Sequence, residues 1–583
     1  MRASIKILTT FLLIGLLFSF TSCNINRFGN ASMHNSKNNT LGNQDDVELK
    51  KLFFNANKEK ILGNSDAAAE LFAKCIRKDP FNSASMFELS RLYLEAGKLS
   101  EALFFAEKAA ELNSENIWYQ YSLAEMCLVV NNTDKAIKTY EKIIRLFPQD
   151  ITAYYDLADA LLKGGKPNAA IKAYDQIENQ IGIVEDVCLK KEMIYISINK
   201  IDKAAAEMKK LIAKYPKELR YYGMLAELYQ ANNKLDLALL TYQNMLKIDP
   251  NDPNIHMSLA GYYKSIGNKS KSFEHLQLAF ENPGLNINKK IKILLSFFNL
   301  SETFPEMKSQ AELLCRQMIK AHPDEAAAFA TYGDYLYREG KLVDAKEQFT
   351  VSLSLDESQY FVWRQLLQIE TELENFKALL KESSKAIELF PTQSVLYLFC
   401  GIANIQEKNM EEALIVLIQG IELTYENEYL LSSFYSNLGD TYHSKKDTAA
   451  SDSSYNMALR YNPKNLYVLN NYSYYLSLRE TGLEKAINMS KKAIALDPEN
   501  TSFQDTYGWI LYKMGDFLEA EKWIKKALES GGDERSIILE HYGDILFKLG
   551  NKEDAIRYWK LAQSKGKGSD LLLKKIADLD LYE

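Results

Sequence analysis

Side chains suited to metal binding or nucleophilic catalysis are scarce in this 583-residue chain, which has six histidines and six cysteines. The histidines are isolated from one another along the sequence, and none forms an HExxH or CxxC-type metal pattern. Glycine-rich phosphate loops are missing too, because the glycines are spread along the chain one or two at a time. We therefore predict that the protein is not an enzyme and uses no cofactor or metal.

Clustered positive charge is also lacking. The chain has a formal net charge of −7, whereas nucleic-acid binding requires grouped lysine and arginine. After the first 22 residues, no apolar run approaches the length needed to span a bilayer. The sequence thus predicts no nucleic-acid partner, and membrane attachment through a lipid anchor alone.

Prolines are few, with 12 in the chain, but they fall on a regular lattice of 34 residues. The lattice positions are Pro80, Ser114, Pro148, Gly182, Pro216, Pro250 and Gly284. Twelve residues before each of them stands a small side chain: Ala68, Ala102, Ala136, Ala170, Ala204, Ala238 and Ser272. A period of 34 predicts a solenoid of helix pairs, in which small residues let two antiparallel helices cross closely.

This pattern resembles the tetratricopeptide repeat family, which has small residues at three repeat positions and a proline near the repeat end. Good single matches are Tyr507-Gly508-Trp509 and Tyr542-Gly543-Asp544. The resemblance covers nearly all of the chain after about residue 47 and implies about fifteen repeats. It implies an all-α fold: a right-handed superhelical solenoid of antiparallel helix pairs.

Three breaks in the lattice divide the repeats into blocks. Extra residues fall near 301–305, where we expect a lengthened turn, and near 425–431, and a single one is added near 479–483. Since insertions in solenoids map to loops, we predict repeat blocks at 47–286, 287–430 and 431–566. An amphipathic stretch at 567–583 then predicts a capping helix over the last repeat.

The N-terminus carries an export pattern. Two basic residues precede the apolar stretch Ile7–Phe20, which is too short to span a bilayer comfortably but suits a signal peptide. The following Thr21-Ser22-Cys23 resembles the lipobox of bacterial lipoproteins, although Phe20 stands where that family usually has leucine. The resemblance implies that residues 1–22 are removed and that Cys23 carries the lipid, including palmitate. An ordinary secretion signal and an uncleaved anchor are the alternatives.

The residues after the lipobox predict where the protein is located and how it is tethered. Asn24, rather than aspartate, follows the cysteine, and this resembles the signal of lipoproteins that are sorted to the outer membrane. We therefore expect the protein to face the periplasm from the outer membrane. Residues 23–46 are rich in asparagine and poor in large apolar groups, so they predict a disordered tether.

The five remaining cysteines fall at packing positions of five different repeats. They are Cys75, Cys127, Cys188, Cys315 and Cys400. Because each repeat contacts only its neighbours, pairing between them is geometrically excluded. We predict unpaired, buried thiols.

In the family that the chain resembles, the first helix of each pair lines a concave groove. Projection of those positions gives an N-terminal group of Trp118, Tyr121, Glu125, Tyr155 and Asp159. It also gives a C-terminal group of Asp505, Trp509, Tyr512, Glu540, Asp544 and Phe547. The acidic and aromatic lining suits partners with basic, partly apolar segments, and we predict the C-terminal group as the main site. Packing of the aromatic rings between adjacent first helices is the alternative.

Together these features predict a non-catalytic scaffold or adaptor, anchored to the membrane as a lipoprotein of the cell envelope. It would support assembly of an envelope complex for secretion, outer-membrane assembly or polysaccharide export. The alternative is a module that binds glycan or peptidoglycan through its aromatic groove.

Overall fold

The computed structural model describes residues 43–301 and 303–583. Within these ranges the chain forms helices and connecting turns, with no β-strand. The predicted signal peptide, Cys23 and most of the 23–46 tether lie outside the described residues. Within the same ranges, every helix is too short or too polar to cross a membrane.

The chain divides into two compact units, which meet in the sequence between Lys234 and Leu235. This division falls within the first of the three blocks expected from the lattice breaks. The described helices of the N-terminal unit are α1 Asn43–Ile61, α2 Ser65–Lys78, α3 Ser83–Glu95, α4 Leu99–Leu112, α5 Ile117–Val129, α6 Thr133–Leu146, α7 Ile151–Lys163, α8 Pro167–Ile181, α9 Glu185–Ser197, α10 Ile201–Lys214 and α11 Leu219–Ala231.

The C-terminal unit, from Leu235 to Glu583, contains the remaining helices. They are α12 Leu235–Ile248, α13 Pro253–Ser265, α14 Lys269–Glu281, α15 Ile287–Ser301, α16 Glu306–Ala321, α17 Ala326–Arg338, α18 Leu342–Leu355, α19 Tyr360–Glu372, α20 Phe376–Leu389, α21 Ser394–Gln406, α22 Met410–Glu422, α23 Glu428–Ser444, α24 Thr448–Tyr461, α25 Leu466–Leu478, α26 Leu483–Leu496, α27 Thr501–Lys513, α28 Phe517–Glu529, α29 Ser536–Lys548, α30 Lys552–Lys565 and α31 Leu572–Asp578. Helices α1 to α30 follow one another as the fifteen expected repeats.

The turns between helices use the same few residue types, asparagine and glycine, in successive repeats. Before α3, the side-chain oxygen of Asn82 accepts a hydrogen bond from the backbone N–H of Ser85 at 2.9 Å. Between the two helices of a pair, Gly97 has φ 72° and Asn131 has φ 60°. Glycine and asparagine are the residues that tolerate this left-handed conformation. The turns are therefore encoded locally, repeat by repeat.

The small lattice residues lie where the helices cross. Ala102, Ala136 and Ala170 are completely buried, and Tyr140 and Tyr174 fill the space beside them. In the C-terminal unit, glycines have the same role. A Cβ on Gly439 would lie 2.5 Å from the ring of Tyr455, closer than packed atoms can approach.

The lattice breaks are absorbed mostly by longer helices. Helices α15 and α16 have 15 and 16 residues, whereas α3 and α4 have 13 and 14. Helix α23 has 17 residues. The turn expected at 301–305 is thus only slightly longer than usual, because a helical residue gains a backbone hydrogen bond and a loop residue does not. The added residue near 479–483 does fall in a turn, where Gly482 has φ 59°.

The five cysteines of the repeats are buried free thiols. Burial raises the pKa of the Cys127 thiol to about 11 and that of Cys188 to about 12. These groups stay protonated at neutral pH, so they behave as small apolar residues. The prediction of unpaired packing cysteines is confirmed.

Candidate functional site

An open cleft of about 720 Å³ lies in the N-terminal unit, against the first helices α3, α5 and α7. Its walls include Phe87 and Arg91 from α3, Trp118 and Tyr121 from α5, and Asp156 from α7. Glu125 and Asp150 also line it. We call this feature the acidic cleft. The structure therefore brings together three of the five residues projected for the N-terminal group.

The two aromatic residues of the cleft differ in their packing. The indole of Trp118 is 69% exposed, and its position is set by Asn116, whose side-chain oxygen accepts the Trp118 backbone N–H at 3.0 Å. Tyr121 is held in place, since its hydroxyl donates to Asp150 Oδ2 at 2.8 Å and its ring packs edge-on against Tyr140. Trp118 thus offers a free ring face, whereas Tyr121 is part of the wall.

The carboxylates of the cleft repel one another. Burial, and then the negative charges of Asp159, Glu125 and Asp150, raise the pKa of Asp156 to about 6. Reduced hydration inside the cleft also raises the pKa of Glu125, and the positive charge of Arg91 partly offsets this rise. No lysine or arginine of the described residues forms a salt bridge with Asp156. Arg91 is the one cation among the residues that line the cleft, and the carboxylates of Glu125, Asp150 and Asp156 outnumber it, so the lining is acidic overall.

Tyr155 and Asp159 lie on α7 outside the walls of the acidic cleft. The ring of Tyr155 packs edge-on against Tyr174 with centroids 5.9 Å apart. The Tyr174 hydroxyl donates to Asp159 Oδ1 at 3.2 Å. Tyr155 thus takes part in packing between helices, and Asp159 contributes to the cleft through its charge on Asp156.

A buried charge network lies further along the N-terminal unit. The Lys191 ammonium is 2.6 Å from Asp175, 2.9 Å from Glu178 and 3.1 Å from Glu207. Lys210 contacts the same two glutamates. Burial opposes protonation of Lys191, but the hydrogen bonds to Asp175 and Glu178 outweigh it and raise its pKa. The network links α8, α9 and α10.

Within the described part of the chain, one group of side chains could converge on a metal ion. Ligand atoms of Glu178, Cys188 and Glu207 lie within 4.8 Å of one another. Both carboxylates already accept lysine ammonium groups, and burial keeps the thiol protonated with a pKa of about 12. This donor set fits an internal ion-pair network better than a metal site.

Histidines that are isolated in the sequence meet in the C-terminal unit. His256 Nδ1 and His275 Nδ1 are 3.0 Å apart, and His256 Nε2 is 3.0 Å from the carbonyl oxygen of Pro250. Burial and the neighbouring ring of His256 lower the pKa of His275. The contact between the two ring nitrogens joins α13 to α14.

The C-terminal group of projected residues lies on α27 and α29 and is almost entirely covered. Phe547 is half-buried against Trp559, and the other five side chains are buried. Residues 569–583, which we call the C-terminal segment, lie over them. This segment forms α31 and continues past it, and Glu583 contacts Tyr512. That this group is the main partner site stays a prediction.

Polar contacts fix the C-terminal segment. Lys575 Nζ lies 2.9 Å from Glu540 Oε1 and 2.6 Å from Asp544 Oδ2. The backbone N–H of Ser569 donates to Glu540 at 2.7 Å. Burial favours the neutral form of Glu540, yet these contacts lower its pKa. Burial raises the pKa of Asp544 to about 6 even beside Lys575.

Projection along the repeats missed two residues that line these clefts. Asp156 lies three residues before Asp159, a spacing that places both on one face of α7, so helical periodicity could have found it. Lys575 carries no such signal, because it lies 35 residues from Glu540 and outside the repeat lattice.

Sequence models of the tetratricopeptide repeat match four parts of the chain. The matched residues are 71–104, 130–181 with 196–262, 432–465 and 507–569. Among known proteins, the human protein O-mannosyl-transferase TMTC3 is 26% identical over 347 residues, which are 52% of this chain and 38% of that protein. The chain therefore spans less than two-fifths of this relative.

Two solved structures align with most of this chain at low identity and low TM-score. The structure of Naa15/Naa10 bound to HypK-THB is 14% identical, with 92% of each chain covered and a TM-score of 0.34. Yeast Tom70 is 15% identical, covering 85% of this chain and 94% of that one, with a TM-score of 0.30.

Proposed function

Because this chain is a tetratricopeptide repeat protein, we propose that it is a scaffold that binds basic, partly apolar segments of other proteins in the acidic cleft. The observation that carries this proposal is the combination of an exposed indole, Trp118, with the carboxylates around Asp156. Aromatic side chains anchor partner segments, and opposite charge steers their approach. Several weak sites along one chain also raise the effective concentration of their partners.

A lysine or arginine of the partner would relieve the repulsion inside the cleft. Asp156, Glu125 and Trp118 line the same cleft, so the indole can pack on the apolar stem of a residue whose charged end meets the carboxylates. Arg91 also lines the cleft and disfavours a purely polycationic ligand. The cleft therefore favours a segment in which single basic residues alternate with apolar ones.

The test is partner recovery by the full chain from solubilised envelope. We expect the double variant Trp118→Ala with Asp156→Lys to abolish recovery, since it removes the anchor and reverses the charge, while the helix content stays unchanged. A matched control changes Phe54, 70% exposed on α1, to alanine and the exposed Asp134 to lysine. Equal recovery with both double variants would exclude the acidic cleft as the partner site.

Recovery should also depend on pH. Asp156 has a pKa of about 6, so it is ionised at pH 7.5 and largely neutral at pH 5. Loss of one charge near the ligand corresponds to roughly 1 kcal/mol, and the affinity for a basic segment should fall roughly fivefold. Asp156→Asn should remove most of this pH dependence.

Glycan binding is the second candidate function. The exposed ring face of Trp118 suits stacking on a sugar, and the human relative is named an O-mannosyl-transferase. Quenching of Trp118 fluorescence by soluble peptidoglycan fragments, together with unchanged protein recovery by the double variant above, would favour this function over protein binding.

We further propose that the scaffold is a lipoprotein of the cell envelope, anchored at Cys23 in the outer membrane and facing the periplasm. The support is the Thr21-Ser22-Cys23 site after a short apolar stretch. In that place it would assist assembly of a complex for secretion, outer-membrane assembly or polysaccharide export.

Cys23→Ala tests the anchor. Without the lipidated thiol, we expect the protein to leave the membrane fraction or to remain unprocessed, with its helical fold intact. Cell fractionation with mass measurement distinguishes these outcomes, and Cys75→Ala, at a buried thiol, is the control. A Cys23→Ala protein of mature mass that stays membrane-bound would argue against lipidation.

A further inference from the structure

We propose that the C-terminal segment is a displaceable internal ligand of the groove on α27 and α29, and that a partner segment bearing a lysine between apolar residues takes its place. This inference rests on the proposed scaffold function, but it concerns a different surface from the acidic cleft. It assigns a second binding site, in the C-terminal unit, and the chemistry of its partner.

The segment contacts the groove as a bound peptide does. One buried lysine, Lys575, sits between the carboxylates of Glu540 and Asp544. Leu572 is fully buried beside it, and the segment end returns to the groove through Glu583, which contacts Tyr512 and lies 3.0 Å from Lys548. A lysine, an apolar anchor and a glutamate side-chain carboxylate therefore define the recognised pattern.

The acidic part of the groove is organised by residues outside the segment. The Trp559 indole Nε1 donates to Asp544 Oδ1 at 2.8 Å, and His541 Nδ1 is 2.8 Å from Asp505 Oδ1. The ring of His541 stacks on Trp509 with centroids 3.8 Å apart. Because these contacts do not involve the segment, the groove keeps its shape when the segment leaves, which lowers the cost of binding a replacement.

A cavity of about 200 Å³ remains beside the segment, lined by Trp509, Glu540 and Tyr582. Trp509 is 6% exposed, and its buried indole Nε1 has no hydrogen-bond partner among the described residues. Buried donors are rarely left unpaired, since the desolvated N–H then has nothing to compensate it. The segment therefore fills the groove incompletely, and a partner with a carbonyl or carboxylate at this point would bind better.

The segment is held weakly enough to be displaced. Helix α31 has seven residues, too few for a stable isolated helix. Leu571, Leu573 and Leu579 remain 37%, 61% and 52% exposed, so a part of its apolar surface stays outside the groove. A tethered ligand still has a local concentration in the millimolar range, which explains its occupancy without high intrinsic affinity.

The test uses the full chain and a fluorescent peptide of residues 567–583. We expect the peptide to bind the Lys575→Glu chain at least tenfold more tightly than the native chain, because a glutamate at 575 repels Glu540 and Asp544 and frees the groove. A peptide with methionine in place of Lys575 should lose this binding. Lys567→Glu, the same change at an 88% exposed position of the chain, should bind as weakly as the native protein.

Hydrogen exchange of the native chain supplies a measurement that needs no variant. We expect amides of α31 to exchange at least tenfold faster than those of α29, because the segment opens while the groove stays folded. Equal exchange in both helices, or a folded Lys575→Glu chain that does not bind the peptide, would identify the segment as a fixed cap and overturn the proposal. Neither result depends on the acidic cleft, so failure here is distinguishable from failure of the Trp118 and Asp156 test.

Discussion

Lys191→Met should lower the free energy of unfolding of α8 to α10 by about 3–5 kcal/mol. The Lys191 side chain is 1% exposed and contacts Asp175, Glu178 and Glu207. Methionine fills a similar volume, but among the described residues it leaves Lys210 as the one cation that pairs with the carboxylates of Glu178 and Glu207. The cost is that of an uncompensated buried charge rather than of lost packing.

Hydrogen exchange is the suitable measurement, because repeats couple mainly to their neighbours and need not unfold as one unit. The α9 and α10 amides should lose protection first. Lys166→Met is the matched control, since Lys166 pairs with Asp134 on the surface and should change stability by about 0–1 kcal/mol. Equal effects of the two substitutions would contradict the buried network.

Trp559→Ala should destabilise the last repeats by about 3–5 kcal/mol. Trp559 is completely buried, and a Cβ on Gly543 would lie 2.5 Å from its ring, so the backbone of α29 is shaped around the indole. The substitution leaves a cavity and also removes the Nε1 donor of Asp544. Trp559→Phe should recover packing but not the hydrogen bond.

Trp118→Ala is the control for this second prediction. It deletes the same side chain at a position that is 69% exposed, so stability should change by about 0.5 kcal/mol or less. Urea unfolding, together with hydrogen exchange of the α29 and α30 amides, distinguishes the Trp559→Ala variant from the Trp118→Ala variant. A similar loss in both variants would mean that Trp118 is a packing residue, and its role in the acidic cleft would then fail as well.

Much of the fold follows from local features of the sequence. The lattice of Pro80, Pro148 and Pro216 predicts the helix pairs, and Ala136 and Ala170 lie at helix crossings as expected. A part of the candidate site follows in the same way, because Trp118, Tyr121 and Glu125 occupy groove-lining repeat positions on a first helix. These residues meet in one cleft because neighbouring repeats stack on one another, and the period of 34 already predicts that stacking.

The burial and pairing of the charged side chains could not be predicted from local features of the sequence. Along the sequence, Lys191 and Lys575 look like ordinary surface lysines beside acids, which at helical spacing form solvated pairs. Their burial depends on carboxylates that lie 13 to 35 residues away in other helices. The pKa of Asp156 depends first on burial, then on Asp159 of the same helix, and then on Glu125, which lies on another helix of the stack.

The sequence by itself determined the all-α repeat architecture, the helix count and the buried, unpaired cysteines, because each arises from contacts within a repeat or between adjacent repeats. Only the tertiary structure decided which groove is open. The acidic cleft around Trp118 is exposed, whereas the equally acidic and aromatic groove around Trp509 is covered by the C-terminal segment. The physical reason is that residues outside the repeat period occupy the second groove. Their amphipathic pattern predicts a cap, but no local pattern indicates that Lys575 contacts Glu540 and Asp544.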